Sequence, residues 1–183
     1  SFGAFADIGC GISALLPVDS LSVSRISHPR DRLTCGSYVY AVVKSIDEES
    51  GRFFLSQKEL LGTWEENASV FEVGQTVSGI VRSIESYGVF IELTPNLAGL
   101  AELKDDGCSP DKAIIGSAAA VYIKSILPDR MKIKLVLIDA GRAQAMPTKE
   151  PLRYYIDCEK VSPIDRWRYS PERAHKIIES VFD

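Results

Sequence analysis

The chain repeats itself, and that restricts its fold more than any other feature. "SFGAFADIGCGISALL" at 1–16 aligns with "SYGVFIELTPNLAGLA" at 86–101, and "GSYVYAVVKSI" at 36–46 aligns with "GSAAAVYIKSI" at 116–126. Two blocks recurring in the same order imply two copies of one small unit. The offset is 85 residues for the first block and 80 for the second. The first copy therefore holds five more residues between its blocks, in "SVSRISHPRDRLTC" at 22–35. Serine, proline and charge make that stretch a loop with one helical turn.

Within each copy the pattern is that of short strands joined by turns. "FEVGQTVSGIVRSIE" at 71–85 opens the second copy with a strand, and nothing equivalent stands before Ser1. A first copy without that strand has two unpaired edges. It is expected either to stay open or to be completed by a neighbouring chain. Small all-β units with this spacing are sandwiches or barrels. Between the copies, 57–61 reads as one helical turn stopped by Gly62. Thr63 and Glu66 form a capping box for a second short helix. Trp64 is expected to pack at the domain junction.

Strand alternation assigns faces. In the second copy Val89, Ile91 and Leu93 share the core side, leaving Phe90 with Glu92 on the other; in the first, Ala4, Ala6 and Ile8 oppose Phe5 and Asp7. An aromatic left on the carboxylate-bearing side twice, at one repeat position, calls for a partner. Phe2 and Tyr87 lie three residues earlier, where strict alternation places them at the barrel mouth as core. Gly3 and Gly88 allow the alternative, in which both aromatics of each copy join one platform.

A flat aromatic platform suits single-stranded nucleic acid, whose bases stack on it whatever their sequence. The net charge of −4 excludes a general basic field. Segments 1–70, 71–139 and 140–183 carry −3, −2 and +1. Phosphate contacts then fall to a few placed cations: Lys44 and Arg52 in the first copy; Arg82, Lys124, Arg130, Lys132 and Lys134 in the second. In "MKIKLVLI", Lys132 and Lys134 alternate with Ile133 and Leu135. Cys10, Cys35, Cys108 and Cys158 are spread without a CxxC pair, and the histidines are His28 and His175. Metal ligation is not expected, and reduced thiols fit a cytoplasmic protein. No catalytic constellation stands out, so neither enzymatic activity nor a cofactor is expected.

Both copies resemble the S1 RNA-binding domain, an OB-fold barrel of five strands. "GQTVSGIVRSIESYGVFIELTPNLAGLAEL" matches the first half of that domain and "GSYVYAVVKSIDEESGRFFLSQKEL" the second. The resemblance implies an all-β protein of two tandem OB-fold barrels, the first lacking its N-terminal strand, with a small α/β extension. The units would be 1–56, a helical linker 57–71, a complete domain 72–139 and an extension 140–183. It further implies a single-stranded RNA face on Phe2, Phe5, Tyr87 and Phe90. Asp47 and Arg52 stand at two further family positions in the first copy. Lys132 takes the Arg place in the second, with Asp129 near the Asp place. A histidine frequent on that face is replaced by Pro17 and Ala101. Partners would be mRNA or ribosome-associated RNA and the ribosome, with no membrane. The alternatives are a non-catalytic S1 region of an RNA-processing or isoprenoid-pathway enzyme, or a protein-docking scaffold.

The tail lies outside the resemblance. "PLRYYI" reads as a strand. Ser170 as N-cap, Pro171 at the first helical position and the spacing of Ala174, Ile177, Ile178 and Val181 predict a terminal helix. In "RWRY" at 166–169, Trp167 either packs on the second barrel or helix, or joins the flanking arginines as a further nucleic-acid contact.

Overall fold

The computed structural model describes residues 2–102, 114–144, 152–157, 159–160 and 163–182. Two sheets carry the repeat. The first holds β1 (Gly3–Asp7), β2 (Ser13–Pro17), β3 (Val42–Asp47) and β4 (Arg52–Ser56) in the order β1-β2-β4-β3. The second is a closed barrel of β5 (Thr76–Glu85), β6 (Gly88–Thr94), β7 (Leu97–Glu102), β8 (Ser117–Leu127) and β9 (Lys132–Gln144), in the order β5-β6-β7-β9-β8. The repeat offsets reappear as register. Leu15 pairs in parallel with Phe54 across β2 and β4, and Leu100 with Lys134 across β7 and β9. Each pair member is its counterpart moved by the block's own offset, so both copies use one pairing scheme.

The first sheet has no counterpart of β5 among the described residues, and it is open between β1 and β3. Its buried core is correspondingly small: Ala14, Leu16, Leu21 and Leu55. The closed barrel encloses Val81, Val89, Ile91, Leu97, Val121, Ile123, Ile133 and Leu135. Alternation holds along much of β8 and β9: exposed Tyr122 and Lys124 flank buried Ile123, and exposed Lys132 precedes buried Ile133.

The linker behaves as its sequence predicts. A 3-10 turn at Lys58–Leu61 ends at Gly62, whose φ is +87°. Helix α1 (Trp64–Ala68) follows. The Glu66 N–H donates to Thr63 Oγ1 at 3.2 Å, and the Thr63 N–H donates to Glu66 Oε2 at 2.7 Å. Five residues cannot sustain a helix by propensity. Trp64 holds it by packing, buried in the core cluster of the second barrel.

The tail departs from expectation. Residues Leu152–Tyr154 form no strand, and no helix follows Ser170. Instead β10 (Arg166–Arg168) and β11 (Glu179–Val181) pair antiparallel. Ser170 Oγ accepts from the Ile178 N–H at 2.7 Å, across the ribbon rather than within a helix turn. Trp167 and Tyr169 are buried against the barrel cluster, with Ile178 and Phe182 beside them. That burial selects the extended form over local helix propensity. Trp167 therefore packs, as one of the two readings of "RWRY" had it. The ribbon is anchored by the Trp64 N–H donating to the Tyr169 carbonyl at 3.0 Å and by Ser180 Oγ donating to buried Glu59 Oε1 at 2.8 Å. Cys10 and Cys35 are free and exposed; Cys108 and Cys158 lie outside the described residues.

Candidate nucleic-acid interface

Each repeat places its two aromatics together. Phe2 and Phe5 have ring centroids 6.2 Å apart at 86°, and Tyr87 and Phe90 have theirs 6.2 Å apart at 88°. Both are edge-to-face pairs, the favoured arrangement of two aromatic quadrupoles. Phe2, Phe5 and Tyr87 are 68%, 69% and 59% exposed, while Phe90 is half-buried. Neither Phe2 nor Tyr87 fills a barrel mouth. Tyr87 stands in the turn before β6, so it escapes the alternation that a residue inside the strand would obey. The glycines serve close approach. A Cβ on Gly3 would lie 2.5 Å from the Leu16 carbonyl oxygen, and one on Gly88 would lie 2.7 Å from that of Ala101.

The surface around Phe90 follows from the register. Phe90 lies opposite Ser83 on β5 and Leu100 on β7, and Leu100 lies beside Lys134 on β9. Lys134 is half-exposed and pairs with Glu102 at 3.1 Å. That surface ion pair is weak enough to yield to a competing anion. Glu102 opposes Gly88 as Pro17 opposes Gly3. Glu102, and not the buried Ala101, is thus the second copy's counterpart of Pro17. Lys44, Lys124 and Lys132 are exposed on outer strand faces.

Asp47 and Arg52 face each other across the β3–β4 hairpin. Asp47 caps that turn: its carboxylate accepts from the Glu49 and Ser50 N–H groups at 3.1 and 3.3 Å and from the Ser50 hydroxyl. The Ser50 hydroxyl foremost, then these backbone donors and Arg52, hold the carboxyl below its usual range. In the second copy Leu127 stands opposite Lys132, so this cap is absent from that hairpin.

Arg82 is engaged elsewhere. Its guanidinium donates to Glu92 Oε2 at 2.7 Å and Oε1 at 3.2 Å, and Arg32 of the first copy donates to the same Oε2 at 2.5 Å. Side-chain exposures are 5% for Arg32, 12% for Arg82 and 4% for Glu92. Alternation put Glu92 on the outer face with Phe90, which is where it lies. The expectation that this side is open to water fails, because the 22–35 loop covers it. The loop is held there by the Val23 N–H donating to Asn96 Oδ1 at 3.0 Å and the Ser24 N–H donating to the Pro95 carbonyl at 3.2 Å. Asn96 Nδ2 also donates to the Lys58 and Gly62 carbonyls, each at 2.8 Å. One buried amide thus ties barrel, linker and first repeat together. The signal for this contact is the five-residue surplus of the first copy, and the helical turn expected there is the 3-10 turn Pro29–Asp31.

Loop and barrel line an open cleft of about 800 Å³. Val18, Asp19 and residues 22–27 form one wall; Arg82, Ser83, Glu85, Tyr87, Phe90 and Ala98 form the other. Among the described residues no group of His, Cys, Asp and Glu is disposed to hold a metal ion, and no helix is long and apolar enough to cross a membrane.

Residues 1–58 match the family model "S1 RNA binding domain". Small ribosomal subunit protein bS1 of Chlamydia muridarum is 32% identical over 142 residues, covering 74% of this chain and 25% of that protein. Its counterpart in Leuconostoc lactis is 36% identical over 140 residues, covering 73% and 32%. The bS1 homolog of Bacillus subtilis is 36% identical over 103 residues, covering 56% and 27%. The chain thus spans about a quarter to a third of the length of the curated relatives it matches.

Proposed function

From a chain that carries an S1 RNA-binding domain and is homologous to bacterial ribosomal protein bS1 across about three quarters of its length, we propose a single-stranded RNA-binding protein of S1 type, acting in translation. The observation that carries this reading is the duplicated aromatic pair, set at the same centroid distance and nearly the same angle in both repeats. Core packing gives no reason to hold Phe2 and Tyr87 exposed at one repeat position, with Phe5 exposed beside Phe2, whereas base stacking does. Lys134 beside the Phe90 row, with Lys132 on the same strand and Lys124 on β8, supplies phosphate contacts in the second repeat. Lys44 and Arg52 do so in the first. Asp47 acts through its hairpin, fixing the turn that presents Arg52. Arg82 serves by position, since its guanidinium is held on Glu92.

The partners are mRNA or ribosomal RNA in a cytoplasmic, ribosome-associated setting, and the chemistry is binding without catalysis. The seam between β1 and β3 accepts one extended strand from a neighbouring chain, antiparallel to both as β5 is to β6 and β8. Fluorescence anisotropy with a labelled single-stranded RNA tests the reading. Phe5→Ala and Phe90→Ala are each expected to weaken binding by roughly 5- to 100-fold, from about 1–3 kcal/mol per stacked base. Unchanged affinity in both variants, at low and at moderate salt, sinks it.

A further inference from the structure

The cleft between the repeats has two unlike walls. On the barrel side stand Tyr87 and Phe90, the second aromatic pair. Facing them is the first repeat's loop, which brings Val23, Arg25 and Ile26. The loop is no loose flap: Val23 and Ser24 are hydrogen-bonded to Asn96 and Pro95, and Arg32 is buried on Glu92. Two arginines line the cleft, and their states differ. Arg82 is forked on Glu92, which it shares with Arg32, so its donors are engaged and largely buried although the triad keeps one net positive charge. Arg25 is exposed, and its guanidinium has no hydrogen-bond or ion-pair partner among the described residues. Asp19 and Glu85 also line the cleft, which makes it unsuited to a dense array of phosphates such as a duplex. It suits one strand passing through, with bases against the rings and a phosphate on the opposite side.

We infer that loop 22–27 of the first repeat and the Tyr87–Phe90 face of the second form one composite cleft for single-stranded RNA, in which Arg25 is the phosphate contact. This rests on the RNA-binding reading above and adds a wall and a cation that the single S1 domain does not contain. The two repeats then bind as one body, in a fixed relative orientation, and the strand is contacted from two sides rather than laid on one sheet face. The first repeat's pair lies close by, since the Val18 N–H on the cleft wall donates to the Phe2 carbonyl at 3.0 Å.

The test is anisotropy of a labelled oligouridylate of about 12 nucleotides, within the usual footprint of an OB-fold, titrated across a sodium chloride series. Arg25→Ala is expected to weaken binding about fivefold at low salt. It is also expected to reduce the slope of log affinity against log salt by about 0.7, the share of one single-strand phosphate. Arg30→Ala, an exposed arginine of the same loop outside the cleft lining, leaves both quantities unchanged. Wild-type affinity and slope for Arg25→Ala, alongside weakened binding by Phe90→Ala, overturn the composite cleft while leaving the stacking reading intact. If neither variant changes binding, both the composite cleft and the stacking reading fail. An equal loss in Arg30→Ala and Arg25→Ala also overturns the inference, because the effect is then diffuse charge. Thermal melts of Arg25→Ala matching wild type confirm that an exposed, unpaired side chain was removed without unfolding the loop.

Discussion

Replacing Glu92 by alanine is the sharpest test of how the repeats are joined. The carboxylate sits between two guanidiniums, with contacts of 2.5, 2.7 and 3.2 Å and side chains nearly shielded from water. Removing it strands two buried cations, and uncompensated charge of that kind costs about 3–5 kcal/mol. Arg32→Ala is milder, because Glu92 keeps both bonds to Arg82; one charge-assisted bond of about 2 kcal/mol is lost, together with two long contacts to Ser22 Oγ at 3.3 and 3.4 Å. The double variant removes one of the stranded cations, so its cost falls below the sum of the singles. Urea unfolding followed by tryptophan fluorescence reads this, since Trp64 and Trp167 both sit in the second barrel's core cluster. For a slope of about 2 kcal/mol/M, the Glu92→Ala midpoint falls by about 1.5–2.5 M. Added salt alters the difference little, because a buried pair is poorly screened. A Glu92→Ala cost below about 1 kcal/mol, or one equal to that of Arg32→Ala, refutes the triad as the clamp between repeats.

Two further outcomes follow from the same junction. Asn96→Ala leaves the Val23 N–H and the Lys58 and Gly62 carbonyls without their partner. A loss of about 3 kcal/mol in thermal or urea melts is expected, from about 1 kcal/mol or more per buried unsatisfied group. Tyr169 donates its hydroxyl to the Asn96 carbonyl, and burial pushes its phenol well above the ordinary 10.0. The folded state therefore favours the protonated form. Its contribution is complete below pH 10.0 and is lost as pH rises beyond that toward the folded value. Tyr169→Phe is expected to cost about 1 kcal/mol at neutral pH, and urea midpoints measured from neutral to strongly alkaline pH should show its deficit against wild type shrinking. A deficit that stays constant contradicts the burial of this hydroxyl.

What the chain itself determined is what neighbours along it or its own duplication carry. Alternation in "MKIKLVLI" predicts the buried Ile133 and Leu135, and Thr63 with Glu66 predicts the cap of α1. The paired offsets of 85 and 80 residues foretell that Leu15–Phe54 and Leu100–Lys134 share one register. These are local sterics, turn chemistry and repetition, and they need no knowledge of the rest of the molecule. Tertiary structure decided which outward faces stay wet. Glu92 lies on the side alternation assigned, yet a loop some 60 residues earlier covers it, and solvation depends on that cover rather than on strand phase. The same holds for Arg82, a free cation by sequence and a clamped one by packing. The tail has helical caps and spacing, but Trp167 and Tyr169 gain more by burial against the barrel than a short helix gains from propensity. Phe2 and Tyr87 were undecided by sequence because a turn residue owes nothing to strand alternation. Only the close approach of β2 to Gly3 and of β7 to Gly88 sets those two rings beside Phe5 and Phe90.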